Sequence, residues 1–233
     1  MNREELMKQI LPESVSLNPI GENSDVVSSE EFEQIYPRFF DSILKIQKAD
    51  ISGLHGYGEL DETHQPEYDL LQNFLTGTFA QETEGYWKNW KQLFETSMMT
   101  EEFFEKYYAK MLHYSRYCEG QRFLVNNNTF FANMVVSEEM VGFLDWSRAG
   151  VMDWLLDFAI MDLNKPYLLI PEKLYVYLKE KGLEVKHFKE RFLCMAYYKG
   201  LDTLRWHASI DDTESCTTII QSISELEERM NRL

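Results

Sequence analysis

The sequence predicts a mainly α fold (α+β) with a small β element in its middle. Through most of the chain, apolar side chains recur at three- and four-residue spacing, as in helices with one buried face. Between residues 134 and 144 the pattern changes to two short β-like runs joined by a polar turn, which is typical of a hairpin. No internal repeat or low-complexity tract interrupts this pattern. We therefore expect one chain dominated by helices.

The first predicted helix begins after an irregular start. Residues 1–28 show little periodicity and contain two prolines, so we expect an irregular N-terminal segment there. Ser28 and Glu31 have the spacing of a capping box, and apolar residues follow on one helical face. Pro37 should kink this helix or start its second half.

A glycine-rich segment and further helices follow. The three glycines of GLHGYGEL, residues 53–60, predict a tight loop. A phosphate-binding loop would need a strand before it, whereas residues 46–52 end a helical pattern. Helical patterns resume at about residues 66–82 and 86–97, and Thr100 opens another helix.

The pattern changes again from residue 122. Residues 123–125 form a short apolar run, a polar turn follows, and the two runs at 134–136 and 141–144 predict the hairpin. The remaining predicted helices cover residues 154–163, 171–181, about 186–208, and a final stretch capped by Asp211 or Asp212.

Composition narrows the class of protein. The chain has 233 residues, enough for one sizeable core, and 39 acidic against 23 basic side chains give a net charge of −16. This charge argues against a nucleic-acid binder. No apolar run is long enough for a membrane helix and the first residues lack a signal-peptide pattern, so we expect a cytoplasmic protein. Cys118, Cys194 and Cys216 form no metal-binding or disulfide pattern, and we expect reduced thiols.

The most specific pattern lies between residues 123 and 158. An apolar run ends at Val125 and leads into the triplet Asn126, Asn127 and Asn128; Asn133 precedes the hairpin, and Leu-Asp-Trp follows it at 144–146. This order resembles the catalytic core of the aminoglycoside phosphotransferases, which share the protein-kinase-like fold. In that family a His-Gly-Asp or His-Ala-Asp loop is followed by Asn, an apolar strand and Ile-Asp-Trp.

The resemblance covers most of the chain and is closest to the branch of the family that phosphorylates hygromycin B. KADISGLHGYG at 48–58, GLDTLRWHASIDD at 200–212 and Pro166 match segments of that branch in the same order. The resemblance implies that residues 29–233 form the helical C-terminal lobe of this fold. It also implies that the N-terminal β lobe is largely absent, with residues 1–28 as its remnant.

The resemblance assigns roles to individual residues. Asn133 and Asp145 lie where the family holds magnesium on the nucleotide phosphates, and Asn128 lies where a loop aspartate accepts the proton of the attacking hydroxyl. An amide cannot take that proton at neutral pH, so general-base catalysis worth ~10²–10⁴-fold would be lost. The loop histidine is replaced by Asn126. No lysine upstream of residue 128 lies in a strand-like run that would grip the phosphates.

Two further carboxylates are weaker candidates. Asp153 and Asp157 lie four residues apart at the start of a predicted helix and so face one side. They are candidate contacts for a polycationic substrate. The alternative is that they complement the positive end of the helix dipole.

Together these features predict a degenerate, catalytically impaired aminoglycoside phosphotransferase-like protein, in other words a pseudoenzyme. ATP and Mg²⁺ would be its cofactors only if it is active. One alternative is an active kinase that phosphorylates a hydroxyl of an aminoglycoside-like substrate. Another is a non-enzymatic scaffold or interaction protein, whose cleft is covered by a second copy in a homodimer. We expect a small polar or cationic ligand and no nucleic-acid or membrane partner.

Overall fold

The computed structural model of the protein describes residues 18–19, 28–80 and 84–233. The α-helices of this part are α1 (Ser29–Ile46), α2 (Leu71–Thr78), α3 (Leu93–Thr96), α4 (Glu101–Cys118), α5 (Leu155–Asn164), α6 (Ile170–Glu180), α7 (Phe188–Ser209) and α8 (Thr213–Asn231). Its strands are β1 (Asn18–Pro19), β2 (Tyr57–Leu60), β3 (Pro66–Tyr68), β4 (Phe123–Val125), β5 (Met134–Val136), β6 (Val141–Phe143) and β7 (Gly150–Met152). The mainly helical fold class is confirmed.

The helix starts follow the capping signals of the sequence. The Ser28 side chain accepts a hydrogen bond from the Glu31 N–H at 3.2 Å, and the Glu31 carboxylate accepts one from the Ser28 N–H at 2.8 Å, which confirms the capping box of α1. Thr100 caps α4 and Asp212 caps α8 in the same way, through side-chain oxygens. Pro37 lies inside α1, which continues on both sides of it, so Pro37 does not start a separate helix.

Three predicted elements differ from the structure. The helix predicted over residues 66–82 is strand β3 followed by the short α2, and the one predicted over 86–97 is a 3₁₀ turn at Trp90–Gln92 followed by α3. The glycine-rich segment 53–60, predicted as a loop, ends in strand β2. These elements are short, and they are stabilised by contacts with segments that are distant in sequence. Local periodicity of apolar residues does not reveal such contacts.

Glycines allow β2 to lie close to β7, a strand that the sequence pattern did not predict. Gly58 has a φ of +116°, a conformation that side chains disfavour. A Cβ at Gly150 would lie 2.5 Å from the carbonyl oxygen of Gly58. The two backbones can therefore pair only with glycine at position 150.

The strands form two antiparallel sheets. One has the order β1-β5-β6 and contains the predicted hairpin, in which Met134 pairs with Phe143 and Val136 with Val141. The other has the order β3-β2-β7-β4. Nearly all residues before Ser28 lie outside the described part, so the irregular segment 1–28 and the reduced N-terminal lobe stay predictions.

Helix α7 forms the centre of the core and packs against α4, α5 and α8. Most of its residues are buried, including the charged Arg191, Lys199, Asp202 and Arg205. Since isolated buried charges are costly, each of these must be paired within the protein. The three cysteines are unbridged and buried, in agreement with the predicted reduced thiols. Among the described helices, none combines the length and apolar character needed to cross a bilayer.

Candidate functional site

The loop that follows β4 is held from behind by a buried carboxylate. Asp157 on α5 accepts the N–H of Asn126 at 3.0 Å through Oδ2, and the N–H of Asn127 at 2.8 Å through Oδ1. The hydroxyl of Thr129 also donates to Oδ1, at 2.7 Å. Burial raises the pKa of Asp157, while these three donors and the charge of Lys199 act against that rise. Because all three close neighbours donate, the carboxylate serves as the anchor of this loop.

The three residues to which the resemblance assigns catalytic or metal-binding roles lie together at this loop. The Asn128 side-chain amide donates to Oδ2 of Asp145 at 2.8 Å, and the Asn133 amide donates to the Asn128 carbonyl at 2.9 Å. The Asn126 side chain adds a hydrogen bond to the Asp145 carbonyl at 3.3 Å. Asp145 itself has a left-handed backbone with φ of +49°. The hairpin thus folds the segment after β6 back onto the loop after β4.

The side chains of Asp145 and Asn133 offer oxygen atoms of the kind that Mg²⁺ prefers, but they are few in number. Asp145 is exposed, Asn133 is half-buried and both contact Asn128, so one carboxylate and one amide oxygen are the candidate ligands here. Mg²⁺ is commonly bound by one or two carboxylates together with substrate phosphates. However, the amide hydrogens of Asn128 already occupy Oδ2 of Asp145. Within the described residues, no three His, Cys, Asp or Glu side chains group into a metal site.

The two weaker candidates lie in the protein interior. Asp153 is 0% exposed and Asp157 is 1% exposed. Asp153 forms a two-pronged ion pair with Arg191, at 2.7 and 3.0 Å, and accepts the N–H of Leu155 at 3.1 Å in the first turn of α5. Neither carboxylate reaches the solvent, so neither can contact a substrate in this conformation. The contact of Asp153 with the Leu155 N–H fits the helix-dipole alternative, whereas Asp157 contacts the loop after β4, which neither hypothesis for the pair included.

Lys199 of α7 also supports the loop. Its ammonium donates to the backbone carbonyl of Asn127 at 3.2 Å and to the Asn127 side-chain oxygen at 3.0 Å. Burial, and then the nearby charge of Arg148, lower the pKa of Lys199 to about 8. Asn127 has a φ of +56°, a strained conformation that these contacts hold in place.

A chain of ion pairs lies close to Lys199. Arg148 pairs with Glu59 at 2.6 Å and with Asp202 at 3.4 Å, and Arg205 pairs with Asp202 at 3.0 Å. Burial alone would raise the pKa of Asp202, but the positive charges of Lys199, Arg148 and Arg205 together hold it below its usual value. Sequence reasoning missed this network. Its signal was a row of charges at positions 199, 202 and 205, three residues apart in a predicted helix, which places them on one face.

A cleft of about 760 Å³ opens beside Asn128 and the ion-pair network. This volume lies in the usual range of small-molecule sites. Two aromatic side chains in its wall are unusually exposed, Tyr86 at 67% and Trp206 at 46%. The charged groups of its described lining include one carboxylate, Asp202, which Arg148 and Arg205 already neutralise. The described lining therefore carries no excess negative charge that would attract a polycation.

Comparison with known proteins gives a match in structure alone. No protein-family profile and no curated protein matches the chain. A thermostable mutant of aminoglycoside phosphotransferase APH(4)-Ia, in ternary complex with AMP-PNP and hygromycin B, superposes with a TM-score of 0.71 at 14% identity, covering 97% of this chain and 81% of the other. APH(4)-Ia itself gives a TM-score of 0.67 at 14% identity, with coverage of 91% and 69%. The mutant's apo form gives 0.69 at 14%, with coverage of 96% and 81%. The chain thus has the aminoglycoside phosphotransferase fold, as the resemblance implied.

Proposed function

We propose that this protein uses an aminoglycoside phosphotransferase fold to bind a polar small molecule, with phosphoryl transfer strongly impaired. The observation that carries the proposal is the hydrogen bond of 2.8 Å from the Asn128 amide to Asp145. In this contact the side chain at the position of the family's base presents a hydrogen-bond donor. A base has to accept the proton of the attacking hydroxyl, and a donating amide cannot do so.

The same contact weakens the second requirement of the reaction, which is a metal held on the phosphates. An amide N–H that faces Asp145 competes with a cation for the same carboxylate oxygen. General-base help alone is worth ~10²–10⁴-fold in rate. With metal binding weakened as well, we expect transfer to fall below a useful rate.

The described strands also lack a basic side chain that could bind the phosphates of a nucleotide. None of the seven strands carries lysine or arginine. In kinases of this fold a strand lysine pairs with the phosphates. Arg148, which lines the cleft beside Asn128, is already paired with Glu59 and Asp202. This supports the proposal that nucleotide binding is weak.

The cleft beside Asn128 is the proposed ligand site. Its exposed Tyr86 and Trp206 rings can stack on the apolar face of a sugar or another ring, while Asn128, Asn164 and Thr203 offer polar contacts. These features favour a polar ring-bearing molecule that binds through its rings and hydroxyl groups rather than through its charge. Hygromycin B, present in complexes of the similar structures, is the first probe.

Two measurements test the proposal. Calorimetric titration with hygromycin B measures binding in the cleft, and transfer of labelled phosphate from ATP with Mg²⁺ to hygromycin B measures catalysis. We expect binding that is weakened when Trp206 is replaced by alanine, and no transfer by the wild type. We also expect no transfer by Asn128→Asp, compared with Asn73→Asp, a matched change at an exposed position on α2. Transfer by Asn128→Asp alone would show that the base is the single defect, and would contradict weak nucleotide binding.

An active kinase is the second candidate, and one observation favours it. Asn133 and the exposed Asp145, the two candidate metal ligands, both contact Asn128. In that case ATP should raise the melting temperature by several degrees only when Mg²⁺ is present. A Mg²⁺-dependent rise together with transfer by the wild type would replace our first proposal with this one.

A further inference from the structure

A second cleft, of about 690 Å³, lies between the C-terminal half of α1, the start of β4 and the connection of α6 to α7. We propose that this cleft, here called the lysine cleft, binds a small organic anion with an apolar body. It shares no lining residue with the cleft beside Asn128. The proposal therefore does not depend on the function proposed for that other cleft.

The charge of the lysine cleft is opposite to that of the chain as a whole. Its lining includes four exposed lysines, against the two carboxylates Asp41 and Glu184; these lysines are Lys45, Lys48, Lys181 and Lys186. The whole chain has 39 acidic and 23 basic residues, so a random patch of surface would be acidic. Four cations around one concave surface thus form a local positive region that attracts an anion at short range.

Most of these charges are available to a ligand. Lys181 is 3.7 Å from Asp41, whereas Lys45, Lys48 and Lys186 form no ion pair with any other described residue. The fifth cation of the lining, Arg191, is buried and already paired with Asp153 in the protein interior. The cleft therefore offers three exposed ammonium groups that the described part of the chain does not neutralise. A ligand with two negative charges, such as a phosphate monoester, can use more than one of them.

The lining of the cleft also has apolar side chains. Trp154 and Leu178 are almost fully buried, whereas Phe123 is half-buried and Leu183 has 47% of its surface exposed. An inorganic anion would leave this surface uncovered, whereas an aromatic or alkyl body would bury it. At roughly 25 cal/mol per Å², burial of such surface adds affinity that is independent of charge. The exposed lysines together with this apolar surface therefore favour an anion that carries an apolar body.

The wall formed by residues 181–187 is held in one conformation. Gly182 has a φ of +67° just after α6, and the N–H of Leu183 donates to the Leu178 carbonyl at 2.9 Å. The Arg191 guanidinium donates to the carbonyl of Lys186 at 3.3 Å. A wall fixed in this way loses little conformational entropy when a ligand binds.

The test is calorimetric titration of the full chain with 1-naphthyl phosphate at low salt. We expect the dissociation constant to rise about tenfold in the triple variant Lys45→Gln, Lys48→Gln and Lys186→Gln, and severalfold when NaCl is increased from about 50 to 300 mM. The matched control is the triple variant Lys88→Gln, Lys91→Gln and Lys106→Gln, whose lysines are exposed and lie outside this cleft. In the control we expect less than a twofold change.

Further probes separate the contributions of charge and apolar surface. Neutral 1-naphthol and inorganic phosphate should each bind more weakly than 1-naphthyl phosphate, and 2-naphthoate shows whether a carboxylate can replace the phosphate. Leu183→Gln should weaken 1-naphthyl phosphate but leave inorganic phosphate unchanged. Equal losses in the two triple variants, or a loss caused by Trp206→Gln in the other cleft, would overturn the proposal. So would the absence of any binding of 1-naphthyl phosphate by the wild type.

Discussion

Replacing Asp157 by asparagine should loosen the loop that presents Asn128. The carboxylate accepts three hydrogen bonds from this loop, two from backbone N–H groups and one from the Thr129 hydroxyl. Asparagine has the same shape but only one acceptor oxygen. If that oxygen keeps its contacts with Asn127 and Thr129, the new NH₂ group faces the N–H of Asn126, and two donors then point at each other.

The magnitude follows from this geometry. One hydrogen bond to a charged acceptor is lost, at about 1.5–3 kcal/mol, and a buried N–H is left without a partner, at about 1–3 kcal/mol. Asn126 is only 1% exposed, so water cannot easily replace the lost acceptor. These costs overlap, because both describe the same broken contact. We expect Asp157→Asn to lower the free energy of unfolding by about 3 kcal/mol.

One assay measures the effect of Asp157→Asn on the stability of the whole protein, and a second measures its effect on the loop. Urea denaturation gives the change in the free energy of unfolding, with Glu180→Gln on exposed α6 surface as a control that should stay within about 0.5 kcal/mol of the wild type. Hydrogen exchange of the Asn126 and Asn127 amides reports the loop itself. Their protection should fall in Asp157→Asn by more than the global change explains. Unchanged stability together with unchanged protection of both amides would refute the anchoring role of Asp157.

Two other buried charges give further predictions. The pKa of Lys199 falls from 10.5 to about 8 on burial, so between these pH values the unfolded chain binds more protons than the native one. Stability from this group should thus rise by about 3 kcal/mol as pH increases through that window, and the rise should be absent from the pH profile of Lys199→Met; parallel profiles would contradict it. Arg191→Met should cost about 3–5 kcal/mol in urea denaturation, because Asp153 is left buried and unpaired. Adding Asp153→Asn should recover part of that loss, and strictly additive costs would show that the pair is not coupled.

The sequence predicted the long helices because their signals are local. Capping side chains such as Ser28 and Thr100 act on N–H groups three residues away, so spacing alone reveals them. The hairpin of β5 and β6 was predicted for the same reason, since its two runs are joined by a short turn. Strands β2 and β7 were not, because they pair across about 90 residues and each has a glycine where the backbones meet.

The candidate site was predictable only in part. The order of Asn128, Asn133 and Asp145 along the chain was enough for the resemblance to place them together, and the structure does bring them together. The spacing of Asp153 and Asp157 predicted that both lie at the start of a helix, and they lie just before α5 and in its first turn. Spacing cannot tell whether such side chains face solvent or the core, and here both are buried.

By itself, the sequence determined the helical class, the positions of the long helices and the amide side chain at position 128. These depend on residue type and on neighbours a few positions away. Only the tertiary structure decided that Lys199 and Asp157, on two different helices, both hold the loop, and that lysines of α1 and of the α6–α7 connection line one cleft. Such groups are distant in the chain, so only the packing of the helices can bring them to one place.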